Sequence, residues 1–424
     1  MAVALGAASL GGSAAAQTQY SVENPTPLPP ERLGVLDRPR PGYDPIGLEW
    51  GPYYIFPRLD LSTTYDSNVF ATPTNTQDDV SFAVRPEVFV VSNWPRHAVS
   101  FRAAAEERVY AIHGTEDVTN VQTALDGRLD ITDDYVTGGI GYELGHEDRA
   151  SPDNVLNQKN PIQYQVGTAF IRYVHEVGLI GFRVTGRIFD YGFDNGLTVT
   201  GETVPETYRD RLEYWLTPRV SYELYPGYYA FIQTPVNWRV YNSKFDIDGF
   251  QRSSHGYEVD AGVSFAIGGA SVGEVFVGYI DQEFDDRRLK PARGVGFGGS
   301  VLWNVTDITS LRFALARTVE EVVATAVPNA VVPASSILQT AVTAGAEHEL
   351  DYNVLLWGRV GFVDQDFQGT TRDDKIYFGQ AGVRYLFNQY LNAGLDVDYH
   401  HRDSSFAIFN YDRVQVTARL RLQE

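Results

Sequence analysis

From Tyr53 onward the chain alternates between apolar and polar positions with a period of two. Tyr257, Val259, Ala261, Val263, Phe265 and Ile267 alternate with Glu258, Asp260, Gly262 and Ser264. Successive side chains on a strand point to opposite faces, so this segment has one apolar and one polar face. The same holds for 121–131, for Leu391–His400 and for Arg413–Leu422. About eighteen such segments, from 53–66 to 407–422, run roughly 10–16 residues each, enough for the ~9–11 that a tilted transmembrane strand needs. Their connections alternate in length. Asn93–Arg96, Thr132–Asp134 and Tyr225–Gly227 are short, whereas Asp148–Asn160, Gly192–Glu206 and Glu321–Pro333 are long. In hydrocarbon every backbone amide must be paired within the protein, which strands achieve only by closing into a ring. The pattern predicts an all-β fold, a transmembrane antiparallel up-and-down β-barrel of about 18 strands. Short turns would lie in the periplasm and longer loops outside, and an even strand number puts both termini on the periplasmic side.

Some positions fit less simply. Arg172 falls among outward-looking positions of 161–175, where it is expected to snorkel toward the interface. Pro86, Pro218 and Pro235 sit inside strands and remove ladder donors, which bulges would accommodate. Trp94, Tyr225, Tyr228, Tyr229, Trp303, Tyr352, Trp357, Phe387 and Tyr390 cluster near the short turns, as an interfacial aromatic girdle would.

Composition sharpens the picture. Aromatic residues make up 13% of the 424 residues, and there is no stretch of the roughly 18 apolar residues that a spanning helix needs. A net charge of -20 argues against nucleic-acid binding, since phosphates would be repelled. The absence of cysteine removes disulfides, thiol nucleophiles and Cys-type zinc sites. Residues 1–16 look like the remnant of a secretory signal peptide ending in Ala14-Ala15-Ala16. Residues 17–50 are proline-rich and read as an extended periplasmic arm, either a linker or a docking element. Residues 51–424 form the barrel.

Inside such a ring the polar face lines an aqueous lumen. The alternation places Arg85, Arg102, Arg128, Arg183, Arg187, Arg219, Arg239, Arg312, Arg359, Arg384 and Arg419 there. Glu87, Glu213, Glu258, Asp260 and Trp215 join them as pore-lining candidates. They are either structural cross-strand pairs or a selectivity field for anionic solutes. No catalytic motif of the G-x-S-x-G or H-E-x-x-H kind occurs, so no enzyme activity is expected. No cofactor or metal is expected either. His400 and His401 are adjacent on a strand and face opposite ways. Gly294-Val-Gly296-Phe-Gly298-Gly299 lies within a strand and opens no helix, so it is not a dinucleotide fingerprint. Asp246-Ile-Asp248-Gly249 lacks the later ligands of a calcium loop.

Two stretches carry a family resemblance. The chain reads Arg38-Pro-Arg-Pro-Gly-Tyr-Asp-Pro-Ile-Gly-Leu48 before the first strand and Tyr65-Asp-Ser-Asn-Val-Phe-Ala71 at its end. This resembles the outer-membrane family called putative β-barrel porin 2, in its alphaproteobacterial form. Relatives are often linked to capsule or exopolysaccharide secretion, so the resemblance implies a polysaccharide export channel. The alternatives are a passive diffusion porin for small solutes and a structural barrel without transport. Expected partners are outer-membrane lipid and lipopolysaccharide, the barrel assembly machinery, and periplasmic polysaccharide-export components contacted through residues 17–50. An export channel predicts inward aromatic rings for sugars to stack on, with Phe89, Tyr110, Phe189, Trp215 and Trp357 available.

Overall fold

The computed structural model describes residues 33–153, 158–267, 270–322 and 333–424. The expected signal-peptide remnant and the first half of the proline-rich segment lie outside these residues. The wall begins with β1 (Tyr53–Asp66), β2 (Asp79–Ser92), β3 (Ala98–Tyr110), β4 (Val118–Ile131), β5 (Asp134–His146) and β6 (Gln163–Val177). It continues with β7 (Ile180–Phe193), β8 (Arg211–Tyr225), β9 (Tyr228–Gln233 and Val236–Tyr241), β10 (Ser254–Ile267), β11 (Ser271–Phe284) and β12 (Ala292–Thr306). β13 (Thr309–Glu321), β14 (Ser336–Asp351), β15 (Val354–Phe367), β16 (Asp373–Asn388), β17 (Leu391–Ser404) and β18 (Tyr411–Gln423) complete it. Each strand pairs antiparallel with its neighbours in sequence, and β18 returns to pair with β1 from Arg58↔Gln423 to Asp66↔Gln415. The eighteen strands therefore form a closed antiparallel barrel.

The two faces of the wall differ as the alternation requires. On β10, Tyr257, Val259 and Val263 are exposed on the outside, while Asp260 between them is 1% exposed. The short turns and the described termini share one end. Pro226 and Gly227 form one of these turns, with φ +83° at Gly227, the left-handed conformation that the third residue of a type II turn needs. Outward rings cluster at this end: Tyr225, Tyr228, Trp303, Tyr352, Phe387 and Tyr390 are exposed. Tyr229 and Trp357 are corrections to that girdle. Tyr229 shares the inward phase of buried Phe231, and Trp357 that of buried Leu355. A second belt lies toward the long-loop end, where Tyr65, Tyr142, Trp238, Tyr257, Tyr279, Tyr377 and Tyr399 are exposed. Two aromatic belts flanking an apolar band suit the two interfaces of a bilayer.

Two further expectations are corrected. Arg172 points inward: it is 8% exposed between outward Ile171 and Tyr173, and its Nε donates to Thr185 Oγ1 at 3.3 Å. The inner face supplies a hydroxyl acceptor, so no snorkelling is needed. The prolines sit at ladder gaps rather than bulges. β2 and β3 pair at Val84↔Glu107 and resume at Glu87↔Ala104 in the same register, skipping Pro86. Pro218 and Pro235 share one gap. β8 and β9 pair at Leu216↔Val236 and resume at Arg219↔Gln233, again without a shift. In this register Pro218 faces Thr234 and Pro235 faces Thr217, so the two prolines lie diagonally and confine the loss of donors to one place in the wall.

The proline-rich segment, expected as an extended arm, is folded against the barrel over its described half. Val35–Asp37 form a 3-10 turn, and Leu48–Trp50 pair with the start of β1. Val35 is fully buried against Leu355 and Leu386 of the inner wall. An isolated arm of this composition has too little apolar surface to fold by itself; docking on the inner wall supplies the missing partner.

Candidate functional site

The site is the inner face, and its charges are organised in clusters. Near the short-turn end Glu87 is shared by three guanidiniums, from Arg58 at 2.5 Å, Arg102 at 3.1 Å and Arg85 at 3.8 Å. Alongside, Arg421 holds Asp60 in a two-bonded fork at 2.6 and 2.9 Å, and Arg419 meets Asp396 at 2.5 Å. Planar guanidinium–carboxylate forks fix both partners in orientation. Arg128 bonds Asp130 at 2.7 Å with its guanidinium over the Tyr135 ring, and Arg219 bonds Glu274 at 2.7 Å while covering Phe231. Glu213 accepts from Arg211 at 2.8 Å and from Trp215 Nε1 at 3.3 Å.

The remaining candidates take simpler positions. Arg359 donates to Gln380 at 2.9 Å. Arg183 stands opposite Arg219 in the ladder and Arg187 opposite Trp215. Glu258 and Asp260 share one face of β10, and Asp260 accepts from Gln233 at 3.1 Å. Arg384 lies beside the folded arm, in the wall of a cavity of about 90 Å³ bounded by Leu36, Tyr43, Phe56, Arg58 and Leu386.

Contacts between strands that are not neighbours show how far elements reach across the lumen. Arg413 on β18, which bonds Asp66 of its neighbour β1 at 2.5 Å, also reaches Asp148 at 3.0 Å in the loop after β5. Arg402 on β17 donates to the carbonyl of Ala150 in that loop at 2.6 Å. The loop thus folds over the outer mouth. Its Arg149 clamps Glu116 of the loop after β3 at 2.6 Å, and Arg209 of the loop after β7 gathers Glu206 with Glu147 and Asp153 of the loop after β5. Burial pushes the Glu206 carboxyl up to about 7 despite Arg209 beside it. On the other side, Arg239 of β9 pairs with Glu321 at the end of β13, four strands along the wall, and Tyr241 Oη donates to the same carboxylate at 2.6 Å.

The arm narrows the opposite mouth. The Val35 amide donates to Ser310 Oγ at 3.0 Å, and the Leu36 amide to Glu347 at 3.1 Å. Arg312 bridges Glu347 and Asp37, and Arg40 bonds Glu349 at 3.0 Å and the Val35 carbonyl at 2.7 Å. Tyr43 packs edge-on against Tyr352. Val35–Asp37 together with Arg40 and Tyr43 therefore fold the arm onto β13, β14 and β15. The sequence reading passed over Asp37, Arg40 and Glu347, because an arm that reaches strands 300 residues away leaves no local period. Arg58 and Asp60, also passed over, alternate with outward Leu59 and Leu61 and were detectable.

Other singled-out motifs resolve into structure. Asp66 accepts from the Asn68 amide at 2.9 Å, and the Asn68 side chain bridges Thr72 and Asp412, so the Tyr65–Ala71 element is loop geometry tied to β18. Asp246 caps the Asp248 and Phe250 amides and pairs with buried Arg252 at 2.7 Å. Buried His400 stacks on Phe378, whereas His401 bonds Asp412 outside.

Against known proteins, the model of the family described as "Putative beta-barrel porin 2" matches residues 40–424. No curated protein matches the chain. Among solved structures, the outer membrane protein OpdK from Pseudomonas aeruginosa is similar, with 10% identity, covering 87% of this chain and 99% of that one, and a TM-score of 0.43. A BenF-like porin from Pseudomonas fluorescens Pf-5 is similar at 11% identity, covering 87% of this chain and 99% of that one, with a TM-score of 0.45. Likeness at this level bears on no substrate. With its family model running from the arm's motif through the last strand, the chain belongs to the Putative beta-barrel porin 2 family of outer-membrane β-barrels.

Proposed function

We propose that this barrel is a diffusion channel for small hydrophilic solutes. The observation that carries the reading is that Asp148 of the loop after β5 reaches Arg413 and the inward end of β13 reaches Arg239, set above an arm folded into the opposite mouth. Together these elements narrow both ends of a ring that would otherwise be wide. The path between them is walled by paired charges, which favour small polar solutes and exclude apolar ones.

Polysaccharide export draws no comparable support. Of Phe89, Tyr110, Phe189, Trp215 and Trp357, no two touch among the ring contacts of the described residues. A continuous stacking surface for a glycan is therefore not offered. The described half of the arm is also committed to the inner wall rather than free for periplasmic export components.

Reconstitution in planar bilayers and in liposomes tests the proposal. Steady conductance is expected, with swelling rates that fall smoothly from monosaccharides to oligosaccharides. A protein that conducts no ions, or that passes long glycans as readily as glucose, overturns it.

A further inference from the structure

The ladder between β12 and β13 does not extend to the long-loop end of the wall. β12 and β13 pair from Thr306↔Thr309 to Gly298↔Ala316 and no further. Continuing that register sets Phe297 opposite Arg317 and Val295 opposite Val319. Neither pair forms, although Ala292–Phe297 stays paired with β11 and Arg317–Glu321 with β14. Over this stretch each strand has an edge without a ladder neighbour.

Side-chain phase shows where β13 has gone. Val319 is in phase with exposed Phe313, and Leu338 on β14 is in phase with exposed Val342; both belong to the outer face. Yet both are buried in one cluster with Ile280 and Ala292, which belong to the inner face of β11 and β12. The outer ends of β13 and β14 therefore lie inside the wall. Guanidiniums supply bonds that a neighbouring strand would have made. Arg239 donates to the Val319 carbonyl at 2.9 Å, and Arg252 to the carbonyls of Val322 and Ala334 at 3.1 and 2.6 Å.

Part of the inner surface beside this overlap is apolar, although Arg219 covers Phe231 and Asp260 lies next to Gly278. It carries Phe231, Phe276 and Ile280, set close against glycines. A Cβ on Gly298 would lie 2.4 Å from the Phe276 ring, and one on Gly296 2.8 Å from Ile280. On the outside, Val295 is 54% exposed toward lipid. Unpaired strand edges are costly in a membrane, so a wall that stops pairing between two apolar surfaces is unusual.

We propose that this overlap is a lateral passage between the lumen and the outer leaflet, used by small amphiphiles with a short apolar chain and a polar head. The ends of β13 and β14 swing off β12. The chain then moves along Phe276 and Ile280 while the head stays in the polar lumen. This goes beyond axial diffusion of hydrophilic solutes and does not depend on it.

The chain has no cysteine, so single replacements report unambiguously. Ile280→Cys probes the overlap, Val277→Cys the lipid face of the same strand, and Thr168→Cys the inner wall far from it. Each variant in vesicles is treated with a maleimide on a long alkyl chain, which stays in the bilayer, or with a small water-soluble maleimide. Adducts are read by intact mass. The alkyl reagent is expected to label Ile280→Cys and Val277→Cys roughly tenfold or more faster than Thr168→Cys, because a closed wall keeps lipid out. Labelling of Ile280→Cys by the water-soluble reagent alone, or by neither, overturns the proposal. Ala292→Cys, on the other side of the same cluster, serves if Ile280→Cys does not fold. Ion conductance of the same variants reports separately on the axial channel.

Discussion

A single carboxylate on β2 gathers three guanidiniums of the inner wall. The Glu87 side chain is almost fully buried and accepts from Arg58 and Arg102 with Arg85 close by. Replacing Glu87 with Ala leaves three like charges together. Breaking a buried pair costs about 3 kcal/mol, toward the lower end here because Arg102 is partly exposed. The expected result is a lower unfolding temperature of the reconstituted barrel and a reversal potential shifted toward anions. An unchanged reversal potential would show that the solute path avoids this cluster. Glu206 in the outer loops offers a pH handle. Its carboxyl, pushed up to about 7 by burial, holds a proton in the folded loops that it gives up in the open ones. That contribution to loop stability is complete below the ordinary glutamate range and is lost as pH rises through about 7. Hydrogen-exchange protection in 147–153 and 206–210, relative to the intrinsic rate at each pH, should fall between pH 5 and 8, and Glu206→Gln should flatten the change. Residue facing is where sequence reading worked best. Asp260, Arg413 and Arg421 are buried because their neighbours are lipid-facing, a fact the period of two states directly. Arg172 was misjudged because Phe170 and Val174, its inward companions, are themselves apolar and blur the alternation.

Among the elements, the arm departs furthest from its sequence signal. Prolines rule out helix and ladder, but they do not say what surface the segment covers. The 3-10 turn at Val35–Asp37 is pinned by Ser310, Arg312 and Glu347, all on strands far downstream. Gly34 matters for a local reason: a Cβ there would lie 2.3 Å from an Arg312 nitrogen. Deleting residues 33–45 should therefore raise single-channel conductance, by about twofold or more if the arm fills most of that mouth. Gly34→Ala should produce a smaller rise. Equal conductance in all three proteins would show that the arm lies beside the path. The hairpins, by contrast, were readable. Short polar turns such as Pro226-Gly227 and Asn388-Gln389 mark one end because tight reversals demand particular residues, whereas long loops mark the other. The proline gaps were not, because placing Pro218 and Pro235 in one gap depends on the pairing of β8 with β9 rather than on either strand alone.

For the whole molecule, strand number and closure followed from counting alternating segments, while the contents of the lumen did not. Lumen contacts join residues such as Arg413 and Asp148, whose relation is set by ring geometry and not by local spacing. The second aromatic belt shows an intermediate case: outward tyrosines near the long-loop ends of β1, β5, β16 and β17 were visible individually, but became a belt only when the tilt of the strands aligned them. Closure itself has a consequence for how the protein is made. The first strand finds its second partner only in the last, Asp66 beside Gln415 and Arg58 beside Gln423. Until the final dozen residues arrive, a nascent sheet keeps two open edges that lipid cannot satisfy, and any other extended chain nearby can claim them. The seam between beginning and end is thus the step at which assembly is committed, and the place where a helper that guards a naked edge is most needed.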